Sequence, residues 1–173
     1  MDTERKSATT LKGNPFTLIG PEIKVGQQAP EFTALAGDLS AVTLASSKGK
    51  TRLICSVPSL DTPVCDAETR RFNEEAAKLS GVEVLIISVD LPFAQGRFCQ
   101  TAGIKNVKCL SDHRDVSFGR SYGTLIKELR LLSRAIFIIG ADDKVQYVEY
   151  VKEVATHPNY DNALNALKSG VTR

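Results

Sequence analysis

The chain has 173 residues, with 22 Lys and Arg against 20 Asp and Glu, which gives a formal charge of +2. A charge this close to zero argues against a nucleic-acid-binding protein, and no apolar run approaches the 18 or so residues of a membrane span. A chain of this length is expected to fold as one domain, 1–173, without needing disulfides or a metal. The cysteines are therefore candidates for chemistry rather than for structural cross-links, and there are four: Cys55, Cys65, Cys99 and Cys109.

The N-terminal residues are charged and lack the apolar segment of a secretion signal. We therefore expect a cytoplasmic location, where cysteines are mostly thiols, catalytic groups or metal ligands.

The first 50 residues are typical of short strands joined by turns. Ala8–Lys12 and Phe16–Ile19 flank the turn residues 13–15, Gly-Asn-Pro, which predicts a β-hairpin over about 8–20. Two further short strands are predicted, Glu31–Leu35 and Ala41–Leu44.

From residue 51 onward, strands alternate with helices. A helix is predicted over Cys65–Leu79, because Phe72, Ala76 and Leu79 share one face and charged residues occupy the other. These charged residues are Glu68, Arg71, Glu74, Glu75 and Lys78. The remaining predicted helices are Pro92–Ala102, Val116–Tyr122 and Tyr160–Leu167, and the remaining predicted strands are Arg52–Val57, Val82–Val89, Val107–Leu110, Ala135–Ile139 and Val145–Val151.

Repeated β-α-β units require parallel strands with right-handed crossovers. The late hairpin formed by the last two predicted strands adds antiparallel neighbours. The sequence therefore predicts an α/β fold with a mixed central sheet and helices on both faces.

Cys65 lies where a strand passes through a loop into the first turn of a helix. Unpaired backbone N–H groups and the helix dipole favour an anion there, so a thiolate is stabilised, and the thiolate is the nucleophilic form of cysteine. Pro58 and Pro63 stiffen the loop, and Thr62 can place its hydroxyl near both the sulfur and the free N–H groups. The alternative is that Cys65 is a small buried apolar residue and Thr62 an ordinary helix cap; the pattern alone leaves both open.

Pro58, Thr62 and Cys65 form a Pro-x-x-x-Thr-x-x-Cys pattern that resembles the peroxidatic site of peroxiredoxins. Within that family the surrounding segment, PSLDTPVCDAETRRFNEEA, is similar to bacterial thiol peroxidases. Three more segments share the resemblance, which extends from about residue 9 to 168: DLPFAQGRFC at 90–99, LSDHRDVSFGRSYG at 110–123 and LLSRAIFIIGADDKVQYVEYV at 131–151.

The resemblance implies a thioredoxin-like fold with an extra N-terminal hairpin, commonly as a homodimer. It implies reduction of hydrogen peroxide or an alkyl hydroperoxide by the Cys65 thiolate, with thioredoxin as the reductant and without a cofactor or metal. Thr62 and Arg134 would hold the thiolate and the peroxide, and Pro58 would shield the sulfur. Sequence alone does not choose Arg134 over Arg70 or Arg71; the resemblance does. The chemistry is suitable, because a guanidinium stabilises the negative charge that develops on the leaving oxygen.

By the same resemblance, Cys99 is the resolving cysteine, which forms a disulfide with Cys65 after oxidation. A disulfide requires Cα atoms within about 7 Å, which cysteines in separate helices seldom meet. We therefore expect the segments around both residues to unwind during each cycle. Cys55 and Cys109 lie in or beside apolar strands and are expected to be packing residues.

Asp61 and Asp66 place negative charges beside the proposed thiolate, which they would disfavour. Either these side chains point away, or Arg134 outweighs them, and the sequence leaves both open.

The main alternative is a redox sensor that relays oxidation from Cys65 to a partner protein. Catalytic turnover separates the two, because a sensor would consume about one equivalent of peroxide. An oxidoreductase acting on protein disulfides is disfavoured, because Thr62 stands where a Cys-x-x-Cys motif needs its first cysteine.

Overall fold

The computed structural model describes residues 2–171, with side chains up to residue 170. The strands in this part of the chain are β1 (Glu4–Leu11), β2 (Asn14–Ile19), β3 (Thr33–Leu35), β4 (Ala41–Thr43), β5 (Thr51–Ser56), β6 (Val82–Ser88), β7 (Lys108–Ser111), β8 (Leu125–Ile126), β9 (Leu131–Leu132), β10 (Ala135–Ile139) and β11 (Val145–Tyr150). The helices are α1 (Pro63–Ala76), α2 (Pro92–Ala102), α3 (Ser117–Ser121) and α4 (Tyr160–Val171), with a short 3-10 helix at Leu44–Ser47. None of these helices has both the length and the apolar character needed to span a membrane.

The main sheet has seven strands in the order β11-β10-β5-β6-β7-β3-β4. Strands β5, β6 and β7 are parallel, whereas β10 and β11 add antiparallel strands at one side and β3 and β4 at the other. The prediction of a mixed central sheet is confirmed.

Helices cover both faces of this sheet, as predicted, because successive side chains of a strand point to opposite faces. Cys55, Ile86 and Ile136 share one face, which packs against α1, α2 and α4. Ile54 and Phe137 lie on the other face, which packs against α3 and the segment before β3.

The predicted N-terminal hairpin is present as β1 and β2. Its turn is Lys12-Gly13, with φ of 52° and 79°, rather than 13–15 as predicted. Two consecutive positive φ values make the tight turn whose twist matches antiparallel strands, so Pro15 joins β2 instead. This hairpin belongs to a second sheet in the order β1-β2-β8-β9, whose two-residue strands β8 and β9 are too short to show a sequence pattern.

Helix α1 begins two residues before the predicted start, because Pro63 occupies its first turn. It also ends earlier than predicted. Beyond Ala76, the amides of Lys78 and Leu79 donate to carbonyls three residues back, which tightens the last turn out of the α-helical pattern.

An aromatic cluster fixes α3 against the sheet. Phe118 and Tyr122 stack at 4.6 Å between ring centroids, and Phe137 of β10 meets their rings edge-on at 6.1 and 5.1 Å. All three side chains are buried. The cluster holds β10, and with it the segment that precedes β10, in a fixed position.

We expect Phe137→Ala to lower the free energy of unfolding by about 3–5 kcal/mol, because the truncation leaves a cavity among aromatic rings. The matched control is Phe93→Ala in α2, where the side chain is 66% exposed and the loss should stay within about 0.5 kcal/mol. Chemical denaturation measures both, and equal losses would contradict the role given to the cluster.

Candidate active site

The pairing of β5 with β10 brings Cys65 and Arg134 to the same end of the sheet, where the parallel strands have their carboxyl ends. Ser56, the last residue of β5, lies opposite Ala135, the first residue of β10. The chain therefore leaves β5 toward α1 at the same end of the sheet at which Arg134 immediately precedes β10. Residues that are 69 positions apart in sequence become neighbours through this register.

Cys65 lies in the first turn of α1 and its side chain is fully buried. Thr62 precedes the helix in an extended conformation, with φ −131° and ψ 148°. Its hydroxyl donates to the Ser59 carbonyl at 3.1 Å instead of capping the helix N–H groups, so that part of the expectation for Thr62 was wrong. The loop before α1 therefore folds back on itself, and the Thr62 hydroxyl proton is taken up by a hydrogen bond within that loop.

Arg134 makes three polar contacts with its guanidinium, which is 1% exposed. Its Nη2 donates to the Cys65 sulfur at 3.1 Å, and its Nε donates to the Val154 carbonyl at 2.9 Å. The remaining nitrogen, Nη1, donates to the Glu68 carboxylate. Of the three arginines left open by the sequence, Arg134 is the one placed at the sulfur.

Arg70 and Arg71 point to other partners. Arg70 pairs with Asp66 at 2.6 Å and also donates to the Ala102 carbonyl. Arg71 lies beside Glu75 and over the Tyr160 ring. The Asp66 carboxylate is thus partly exposed and paired with Arg70, whereas the Cys65 side chain is fully buried. Asp61 is exposed.

Glu68 is part of this site, and the prediction that it lies on the charged outer face of the helix was wrong. Its side chain is fully buried, one turn after Cys65. The signal was present, because Cys65, Glu68, Thr69 and Phe72 follow the i, i+3, i+4, i+7 spacing of one helix face, and all four are buried. The sequence pattern did not reveal that Glu68 is buried, because its partner Arg134 is 66 residues away in the chain.

Burial raises the pKa of Glu68 to about 7, and the Arg134 charge opposes this rise only in part. For Arg134, burial acts to lower the pKa, but the negative charges of Glu68 and of the Cys65 sulfur outweigh it and raise the pKa. The guanidinium therefore keeps its positive charge in the protein interior, next to a carboxyl group that titrates near neutral pH.

A cavity of about 240 Å³ leads from the surface to Arg134. Pro58 and Thr62 border it, and Pro58 is itself buried. The other residues around it are mostly aliphatic: Leu11, Ser59, Pro63, Val64, Ile126, Leu129, Leu131, Val154 and Ala155.

Cys99 lies in α2 and is half-buried. All four cysteines are free thiols, and the Cys99 sulfur lies 3.0 Å from the sulfur of Cys109 on β7. Cys55 is buried in the core, as expected of a packing residue. The structure therefore brings Pro58, Thr62, Cys65 and Arg134 together, and leaves Cys99 in a separate helix.

Asp90 ties the loop before α1 to the segment before α2. Its carboxylate accepts hydrogen bonds from the Ser59 hydroxyl at 2.7 Å, the Leu60 amide at 2.8 Å and the Ser88 hydroxyl at 2.7 Å. Gln95 of α2 donates to the same Ser88 hydroxyl. These bonds hold both cysteine-bearing helices in place at the carboxyl edge of the parallel strands.

Comparison with known proteins gives the same assignment over nearly the whole chain. The family model Redoxin matches residues 24–164. A thiol peroxidase of Halalkalibacterium halodurans is 63% identical and covers 95% of this chain and 99% of its own. The thiol peroxidase of Bacillus subtilis is 56% identical, with 92% and 96% covered. The crystal structure of a peroxiredoxin-like protein from Aquifex aeolicus has a TM-score of 0.89 at 46% identity, covering 94% of this chain and 96% of that one. With a buried cysteine and arginine in contact at the start of α1, this thioredoxin-like chain belongs to the Redoxin family and, within it, to the thiol peroxidases.

Proposed function

We propose that this protein reduces hydrogen peroxide and organic hydroperoxides with Cys65 as the attacking group. The observation that carries this proposal is the 3.1 Å contact between the Arg134 guanidinium and the Cys65 sulfur in a buried site. A fixed positive charge beside a sulfur at a helix N-terminus favours the thiolate, which is the reactive form. The thiolate attacks the terminal oxygen of the peroxide, the O–O bond breaks, and Cys65 becomes a sulfenic acid. The other oxygen leaves as hydroxide or alkoxide and takes up a proton.

The residues around the sulfur have separate roles in this step. Arg134 stabilises the thiolate and then the negative charge on the leaving oxygen. Thr62 borders the cavity, and its hydroxyl oxygen is available to accept a hydrogen bond from the peroxide while its proton is held by Ser59. Pro58 covers the site and limits access by water. The aliphatic walls of the cavity suit the organic part of a hydroperoxide.

Cys99 resolves the sulfenic acid by forming a disulfide with Cys65 and releasing water. This step requires movement, because the two residues lie in the separate helices α1 and α2. The hydrogen bonds of Asp90 to Ser59 and Leu60 must open when the loop rearranges.

A dithiol protein of the thioredoxin type would return the disulfide to two thiols. We also propose that the whole chain, 1–173, works as one peroxidase domain in the cytoplasm, as a homodimer. The reductant, the single domain, the location and the homodimer are supported by the family membership and by the expectations drawn from the sequence.

The central test is peroxide consumption with thioredoxin and its reductase. Cys65→Ser should abolish turnover, because the nucleophile is lost, and Cys99→Ser should lose turnover while still reacting once with peroxide. Cys55→Ala, which removes a buried cysteine outside the proposed mechanism, should retain turnover.

Full activity in Cys65→Ser would contradict the proposal. Consumption of only about one equivalent by the wild type under these conditions would favour the redox sensor instead.

Local unwinding should be visible by amide hydrogen exchange. In the protein oxidised to the Cys65–Cys99 disulfide, we expect faster exchange in the first turn of α1 and in α2 than in the reduced protein. Strand β10 serves as the internal reference, because it is paired on both sides, with β11 and β5, and should be equally protected in both states. Once peptide mapping has confirmed that the sample holds the Cys65–Cys99 disulfide, equal protection of α1 and α2 in the two states would show that this disulfide forms without unwinding.

Glu68 positions Arg134, and its titration gives a further test. Its pKa in the folded protein, about 7, lies above the ordinary value of 4.5. Its contribution to stability is therefore fully present below about pH 4.5 and is lost as the pH rises through about 7. We expect the free energy of unfolding of the wild type, measured relative to Glu68→Gln, to fall between pH 5 and pH 8.

Glu74→Gln is the matched control, since Glu74 is an exposed residue of the same helix. Denaturation at several pH values should show no comparable pH dependence for that pair. A wild type that gains stability relative to Glu68→Gln over this range would reverse the assigned direction.

A further inference from the structure

The sulfur atoms of Cys99 and Cys109 lie 3.0 Å apart, which makes them the one hydrogen-bonded thiol pair in the described part of the chain. A disulfide bond is about 2.05 Å long, so an approach of about 1 Å separates this pair from a covalent bond. Cys99 belongs to α2 and Cys109 to β7, on which α2 packs. The packing role expected for Cys109 does not account for this placement beside the proposed resolving cysteine.

We infer that Cys109 is a third redox residue, which takes over the disulfide from the Cys65–Cys99 pair. The inference rests on the function proposed above. In this step the Cys109 thiolate attacks the Cys99 sulfur of the Cys65–Cys99 disulfide. A Cys99–Cys109 bond forms, the Cys65–Cys99 bond breaks, and Cys65 leaves as a thiolate. One thiolate and one disulfide are present before and after the exchange, so no further oxidant is needed.

The folded structure favours this exchange. A Cys65–Cys99 disulfide keeps α1 and α2 from their folded positions, because in the folded protein the Cys65 sulfur contacts Arg134 and the Cys99 sulfur contacts Cys109. A Cys99–Cys109 disulfide leaves both helices in place, since its sulfurs already meet across α2 and β7. The free energy recovered when the two helices refold therefore drives the exchange forward.

The protonation of the pair is consistent with this direction. While both residues are thiols, their hydrogen bond lowers the pKa of Cys99 and raises that of Cys109. Cys99 is then the better nucleophile toward the Cys65 sulfenic acid. Once Cys99 is in a disulfide it carries no charge, and the largest cause of the raised Cys109 pKa disappears.

Two consequences follow for catalysis. The released Cys65 thiolate can reduce a second peroxide before any reductant arrives. However, Cys99 is then held by Cys109 and cannot resolve the new sulfenic acid, which is left open to further oxidation to the sulfinic acid. The Cys99–Cys109 disulfide would thus store the two oxidising equivalents of one peroxide molecule and make Cys65 sensitive to excess peroxide.

The test is to treat the reduced protein with peroxide in the absence of any reductant, block free thiols and map disulfides after trypsin digestion. Cleavage after Arg97, Lys105, Lys108 and Arg114 places Cys99 in FCQTAGIK and Cys109 in CLSDHR, so the new bond links two separate peptides. We expect this linked pair in the wild type, together with consumption of about two equivalents of peroxide per chain. In Cys109→Ser and Cys109→Ala the linked pair should be absent and consumption should fall to about one equivalent.

Cys55→Ala is the matched control for loss of a cysteine and should behave as the wild type. A Cys65–Cys99 disulfide in the Cys109 variants shows that they are folded and active, so their lower consumption reports the missing relay. One equivalent in the wild type, without the linked peptides, would overturn the inference and leave the peroxidase intact. Unchanged peroxide consumption by Cys65→Ser would instead overturn the proposed function.

Discussion

A guanidinium group with almost no exposed surface is the interaction on which the rest of this site depends. Burying the Arg134 charge is unfavourable unless its donors are satisfied, and here a thiol, a carboxylate and a backbone carbonyl take them up. Each partner comes from a different stretch of chain: Cys65 and Glu68 from the start of α1, and Val154 from the loop before α4. Arg134 thus fixes the position of the helix that carries Cys65.

The same burial creates a competition for one positive charge. When Glu68 is ionised it neutralises part of the Arg134 charge, and less remains for the sulfur. When Glu68 is protonated the guanidinium interacts more strongly with Cys65. Because the pKa of Glu68 is raised to about 7, Glu68 changes its charge near neutral pH, so the carboxyl group affects both the stability of the fold and the positive charge beside the Cys65 sulfur.

Local patterns in the sequence predicted the elements but not the contacts between them. The bounds of α2 and β10 matched those of the structure, since proline, glycine and a run of β-branched residues mark them. The position of Cys65 at a helix start was likewise readable from its prolines. Glu68 was misplaced because its burial is stabilised by Arg134, which only the register of β5 and β10 brings near. The Cys99–Cys109 contact was not predicted for a similar reason, because it depends on how α2 packs on β7.

Two cysteines of the main sheet, Cys55 and Cys109, differ in burial and in the groups that contact their sulfur atoms. Cys55 and Cys109 flank Ile86 on neighbouring strands and point to the same face. Cys55 lies fully buried in the middle of that face, and burial raises its pKa, so it is both unreactive and out of reach. Cys109 is only partly buried and lies beneath the helix that carries Cys99. In the proposed mechanism α2 must loosen for Cys99 to reach Cys65. The same motion would expose Cys109 at the stage of the cycle when a disulfide is present for it to attack.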